Sequence, residues 1–160
     1  MSEAATKVKP TTGYGLKLRA ETAEDITVFA AVLQDAVTVV GDMTFRPGER
    51  RFVVMLNRYL WEQEPVDAAL DRCMRIRTGL HFDGVLKVAV LGIPQTVPSK
   101  VLELLTIECE ERPDASATLY LFFAGGGIIR LDAECIDAYL TDIGEPWPAR
   151  CRPCHAVDTE

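Results

Sequence analysis

The amino-acid sequence predicts an α+β fold: about seven antiparallel strands in a meander, with one helix before them and one after. Three observations support this. Apolar residues recur at helical spacing near residues 22–41 and 132–144, and alternate with a period of two between those segments. Turn signals built on Pro-Gly, Asp-Gly, Pro-Asp and a glycine triplet punctuate the alternating stretch. The β-α-β-α alternation of a parallel, doubly wound sheet is missing.

A short strand is expected at Leu16-Lys17-Leu18. Thr22 is a helix N-cap, with Asp25 in the capping-box position three residues later. Ile26, Phe29, Ala30, Leu33, Val37 and Val40 then form an apolar stripe, and Gly41 ends the helix. Met43 to Arg46 and Arg51 to Tyr59 read as strands around Pro47-Gly48, followed by a polar stretch from Glu62 to Asp71. Cys73 to Leu80 and Val85 to Ile93 flank Asp83-Gly84, the strongest hairpin signal in the chain. Leu102 to Glu110 and Ala117 to Phe123 flank Pro113-Asp114, and Gly125-Gly126-Gly127 turns into Ile128 to Leu131. Asp132 caps a final helix whose apolar face is Ile136, Tyr139, Leu140 and Ile143, with Gly144 and Pro146 stopping it. Trp147 is expected to pin the irregular stretch that follows.

This element order matches a pleckstrin-homology-like barrel; an open antiparallel sheet with both helices on one face is the competing architecture. Residues 14–148 are expected to form one domain, between a flexible tail (1–13) and an irregular C-terminal tail (149–160). A chain of 160 residues with 48% hydrophobic content can build a core without a metal or disulfide. The net charge of -7 argues against binding nucleic acid or an anionic membrane surface, because phosphate neutralisation needs clustered Lys and Arg. No apolar run approaches the ~18 residues that span a bilayer. Met1 to Lys7 lacks the basic and apolar stretches of a secretory signal, so the expected location is cytoplasmic.

Cys151-Arg152-Pro153-Cys154-His155 spells C-x-x-C-H, the attachment pattern of c-type haem. The expected cytoplasmic setting and the position near the chain end both oppose haem. Zinc would require a fourth ligand beyond Cys151, Cys154 and His155, such as Cys109 or Cys135. The reading adopted is an incidental pair, with no cofactor. Cys73, Cys109 and Cys135 lie in apolar patterns and read as small buried hydrophobes.

Arginine is the more informative residue. Arg75 and Arg77 alternate with apolar neighbours and share one face of their strand. Arg51, Asn57 and Arg58 on the preceding strand are expected to approach them. Several guanidinium forks on one face suit an anionic small molecule or a protein partner. Arg51, Asn57, Arg58, Arg75 and Arg77 are therefore the candidate surface of a non-enzymatic binding or interaction module. The alternative is an enzyme acting on a small anionic metabolite, with these arginines clamping substrate and an acid such as Glu108 as base. An acid-rich half from Glu103 to Glu145 could also pair with the arginines of a second copy. The glycine triplet lacks the Lys-Ser/Thr of a phosphate loop and reads as a tight turn. His81, beside Phe82-Asp83-Gly84, reads as a surface turn residue.

The stretches Leu33-Gln34-Asp35-Ala36-Val37 with Gly41-Asp42-Met43, Arg51-Phe52 with Leu56-Asn57-Arg58 and Trp61-Glu62, and Phe122 to Gly127 with Ile129-Arg130-Leu131 resemble an uncharacterised alphaproteobacterial domain-of-unknown-function family. The resemblance covers most of residues 15–148. Members are often encoded beside histidinol dehydrogenase, which implies a housekeeping, cytoplasmic setting. The resemblance transfers no catalytic residue, and the tail cysteines are not part of its pattern.

Overall fold

The computed structural model describes residues 15–61 and 72–150. The expected tail at residues 1–13, the polar stretch Glu62 to Asp71 and the trio Cys151, Cys154 and His155 lie outside the described residues.

The elements run β1 (Lys17–Ala20), α1 (Ala23–Val32), β2 (Val37–Val39), a 3-10 turn (Val40–Asp42), β3 (Met43–Arg46), β4 (Arg51–Tyr59), β5 (Arg72–Asp83), β6 (Val85–Leu91), β7 (Val101–Glu111), β8 (Ala117–Phe123), β9 (Ile128–Ala133) and β10 (Ala138–Arg150). The capping box at Thr22 forms as the sequence predicts. The Thr22 hydroxyl accepts from the Asp25 N–H at 3.1 Å, and Asp25 accepts from the Thr22 N–H at 3.2 Å.

The helix is shorter than its apolar stripe. It ends at Val32, not Gly41, because Asp35 turns the chain with a left-handed φ of 67°. The Asp35 N–H then donates to the Leu104 carbonyl at 2.8 Å. The β-branched run Val37-Thr38-Val39 prefers the extended backbone that β2 gives it.

All strand pairs are antiparallel and join one sheet in the order β1-β10-β5-β4-β2-β7-β8-β9-β6, with β3 added beside β4. The path has two ends, β1 and β6, and does not close. The open antiparallel sheet is thus the architecture found, with ten strands where about seven were expected and one helix among the described residues.

Two further expectations are corrected. Asp83-Gly84 is not a hairpin turn: β5 pairs with β4 and β10, while β6 pairs with β9. Gly84, at φ 72°, is a corner where the chain leaves one part of the sheet for another. Arg50 and Glu134 brace it, since the Arg50 carbonyl accepts from the Val85 N–H and the Gly84 carbonyl accepts from the Glu134 N–H, both at 2.9 Å. The second correction concerns the C-terminal helix and the tail after it. Residues 138–150 are β10, which runs beside β1 and β5, and Gly144 and Pro146 occupy an irregularity between Ile143 and Trp147 instead of stopping a helix.

The buried apolar side chains form one continuous core. Phe52, Val54, Leu56, Leu80 and Phe82 meet Leu104, Leu119, Leu121, Ile129 and Leu131 there. Ile26 and Phe29 press α1 onto this core, where the helix lies against β7 and β1. The cysteines differ from the sequence reading. Cys73 is disulfide-bonded, Cys109 is a half-buried free thiol and Cys135 is an exposed one. No described helix is long and apolar enough to cross a membrane.

Candidate functional site

Alternation decides which side chains of β4, β5 and β10 face outward. On β4 the residues Phe52, Val54 and Leu56 point into the core, so Arg51, Val53, Met55, Asn57 and Tyr59 point out. On β5 the outward set contains Arg75, Arg77, Gly79 and His81. Directly opposed residues of an antiparallel pair share a face. The register therefore builds two adjacent outer rows, Trp147–Arg75–Tyr59 and Ile143–Arg77–Asn57.

Arg75 is the centre of the first row. Its guanidinium lies 4.5 Å from the centroid of the Tyr59 ring, a cation–π arrangement. One Nη donates to the Asn57 carbonyl at 3.2 Å, while the buried Nε has no hydrogen-bond partner. No carboxylate pairs with Arg75 among the described residues. Tyr59 in turn packs on Trp61, with ring centroids 5.2 Å apart, and the Trp61 indole N–H donates to the Gln34 carbonyl at 3.1 Å. Trp61 is thus fixed in place yet 47% exposed; Trp147 on the far side of Arg75 is 38% exposed.

The second row is more neutral. Arg77 donates to Asp42 at 3.1 Å and to the Asn57 side chain at 3.3 Å. Ile143, opposite it, is 45% exposed. Gly79 continues the apolar surface: a Cβ there would sit 3.5 Å from both Ile143 Cδ1 and Met55 Sδ, so these side chains lean over it.

The other two expected members are elsewhere. Arg51 projects from the same face but six residues from Asn57 along β4, about 20 Å away at the rise of a strand. Asp83 neutralises it through Nε–Oδ1 at 2.7 Å and Nη2–Oδ2 at 3.3 Å, and that hydrogen bond raises its pKa further. Arg58 is not on the outer face at all. It points into the core and meets Asp142 of β10, with side-chain exposures of 0% and 1%. The Arg58 Nε and Nη2 donate to Asp142 at 2.9 and 2.7 Å, and Nη1 donates to the Tyr59 carbonyl. Thr78 Oγ1 and the N–H groups of Gly15 and Leu16 complete the Asp142 shell. Burial pushes the Asp142 carboxyl up, but Arg58 and the other donors outweigh it and hold the carboxyl below its ordinary pKa.

His81 is a half-buried strand residue stacked on Tyr139 at 4.8 Å, not a surface turn residue. Burial lowers its pKa, and Arg51 adds to this against the opposing pull of Asp83. Glu108 is exposed on β7 opposite Tyr120. It stands five residues, about 17 Å of strand, beyond Glu103, the β7 residue that shares the Val37 row with Asn57. The expected pairing of a Glu108 base with the arginines is therefore not assembled. Among the described residues, no group of three or more His, Cys, Asp or Glu side chains could hold a metal.

Trp147 and Ile143 are the members of the face that sequence reasoning missed, because both fell in the segment read as a helix and its tail. The Trp61 side chain carried a usable signal, a tryptophan two residues beyond Tyr59 on an alternating strand.

Together, fold and site define an open-sheet α+β protein that presents an aromatic–arginine face. Residues 16–155 match the family model DUF2948, described as a protein of unknown function, and the chain belongs to that family. No curated protein and no solved structure matches the chain.

Proposed function

We propose that this chain is a non-enzymatic interaction module that docks a protein partner on the outer face of β4, β5 and β10. Trp61, Trp147, Tyr59 and Ile143 would supply the apolar contact, and Arg75 would receive a carboxylate of the partner. The carrying observation is the state of Arg75: held on Tyr59, flanked by two exposed tryptophans, with a buried Nε lacking an acceptor. Trp, Tyr and Arg are the residues on which binding energy concentrates at protein interfaces. A buried donor without a partner costs about 1–3 kcal/mol, which a docked carboxylate would recover.

The test is affinity capture from native extract with quantitative mass spectrometry, comparing the wild type with Arg75→Ala plus Trp147→Ala. The reading expects a protein enriched by the wild type and reduced at least about tenfold by the variant, the effect of ~1.4 kcal/mol. Identical capture by both chains would overturn it.

A cytoplasmic, alphaproteobacterial setting is part of the proposal. The Cys73 disulfide is the observation that stands against it, since a reducing compartment keeps thiols free. Rapid alkylation of intact cells, reading Cys73 as free or bonded, decides the point.

A further inference from the structure

A concave gap lies beside β6, one of the two ends of the open sheet. β6 ends the hydrogen-bonded path and β3 pairs only with β4. Between them lies a cleft of about 220 Å³. Its floor is Phe52 and Ile129, both buried, and its walls are Met43 and Phe45 of β3 and Val88 and Val90 of β6. Thr44 and Gln95 are its polar lining residues, and none of the lining residues is ionisable.

One end of the cleft is fixed by the segment between β6 and β7. The Gly41 N–H donates to the Pro98 carbonyl at 2.9 Å and the Val40 N–H to the Lys100 carbonyl at 3.0 Å. Ile93 is pressed against Gly127, where even a Cβ would come within 2.7 Å of Ile93 Cγ1. These contacts hold that end of the cleft in place, as in a preformed small-molecule site.

The cleft is partly open to solvent, and its mainly apolar lining gives a water there few of the two to four polar partners it needs. At about 220 Å³ this cleft has room for one ring and a short substituent. A charged ligand would lose its hydration without gaining a counter-charge. The Gln95 amide offers one donor and one acceptor to a polar atom on the ligand.

We infer that the cleft between β3 and β6 is a binding site for a neutral, mainly hydrocarbon molecule of single-ring size carrying one hydrogen-bonding group. It is separate from the aromatic–arginine face and does not depend on that reading.

Indole is the probe, added to full-length protein carrying 13C-methyl methionine. Met43 lines the cleft, whereas Met55 lies on the outer face of β4 and Met74 on β5, so the three report different places. The Met43 methyl signal is expected to shift and saturate by roughly millimolar indole, while Met55 and Met74 stay in place. Val90→Phe, which fills the cleft, is expected to abolish the shift; Val88→Phe serves if the first variant loses its cooperative thermal transition. An immobile Met43 signal in the wild type overturns the inference without any variant. So does a shift that never saturates, one spread equally over Met43, Met55 and Met74, or one that survives in a folded cleft-filling variant.

Discussion

Arg58 and Asp142 meet side-on inside the protein, joined through two N–H···O contacts of 2.9 and 2.7 Å from Nε and Nη2. The pair ties β4 to β10, and Thr78, Gly15 and Leu16 extend the tie to β5 and the start of β1. Two charges withdrawn from water are costly, so the pair is better regarded as a register lock than as a large source of stability. Removing Arg58 takes away the counter-charge of the buried Asp142 carboxylate. Arg58→Ala is expected to lose about 3–5 kcal/mol in urea denaturation. Arg58→Met with Asp142→Leu is expected to recover only part, because Thr78 and the two N–H groups still lose their acceptor. A single variant within about 1 kcal/mol of wild type would contradict the lock.

The same pair sets a pH dependence. The Asp142 carboxyl is held below its ordinary pKa in the folded chain, so the unfolded chain binds the proton first as pH falls. Its contribution is complete above roughly pH 4 and disappears as pH drops through the folded value. Acid unfolding of the Arg58→Met, Asp142→Leu variant should lose that component. His81 adds a second, higher window. Its folded pKa lies below the ordinary value, so stability falls as pH drops from roughly 6.5 toward the folded value. The His81 ring-proton titration followed by NMR should show a midpoint below 6.5; a higher midpoint would mean Asp83 outweighs burial.

Arg75→Ala with Arg77→Ala tests whether the outer arginines serve recognition or the fold. The Arg77–Asp42 pair is more than a third exposed on both sides, which makes it worth about 0–1 kcal/mol. The Arg75–Tyr59 contact adds about 0.5–1 kcal/mol. The double variant should therefore stay folded, with a loss below about 2 kcal/mol, and lose partner capture. A drop much larger than that in denaturant titration would assign the arginines to the fold.

Gly127 carries a separate, purely steric prediction. Gly127→Ala places a methyl group within 2.7 Å of Ile93 Cγ1. Overpacking of this kind costs about 1–3 kcal/mol. Ile93→Ala removes the clashing atoms, so the two substitutions should be non-additive in a thermodynamic cycle. Additive losses would mean the segment moves aside at no cost.

The strands were legible wherever inward positions were apolar. β3 and β8 run to the residues that alternation marks, and the Thr22 capping box is readable from two side chains. Reading failed where an inward position was polar. Asp142 points into the core of β10, which broke the period of two and left Ile136, Tyr139, Leu140 and Ile143 looking helical. Its partner Arg58 misleads in the same way, since an arginine on a strand reads as outward-facing. Both errors have one cause: the two residues cancel each other across strands 84 positions apart in sequence, and neither side chain alone reports that. The Asp83-Gly84 signal was correct about backbone shape and wrong about pairing, since a left-handed glycine serves a corner as well as a hairpin. The arginine face was half legible, through Arg75, Arg77 and Asn57. Its tryptophan at position 147 depended on the strand that was missed.

The pairing of β1 with β10 bears on how the protein is made. Lys17 to Ala20 find their partners in Ala138 to Thr141, so the strand synthesised early has no mate until nearly the whole domain has been translated. At roughly 5–20 residues per second, that wait is on the order of ten seconds on the ribosome. Its brevity and its outward Lys17 and Arg19 discourage mispairing with other nascent chains during that interval. Completion of the sheet therefore waits for residues 138–141, and a chain stalled before residue 138 lacks the strand on which β1 docks.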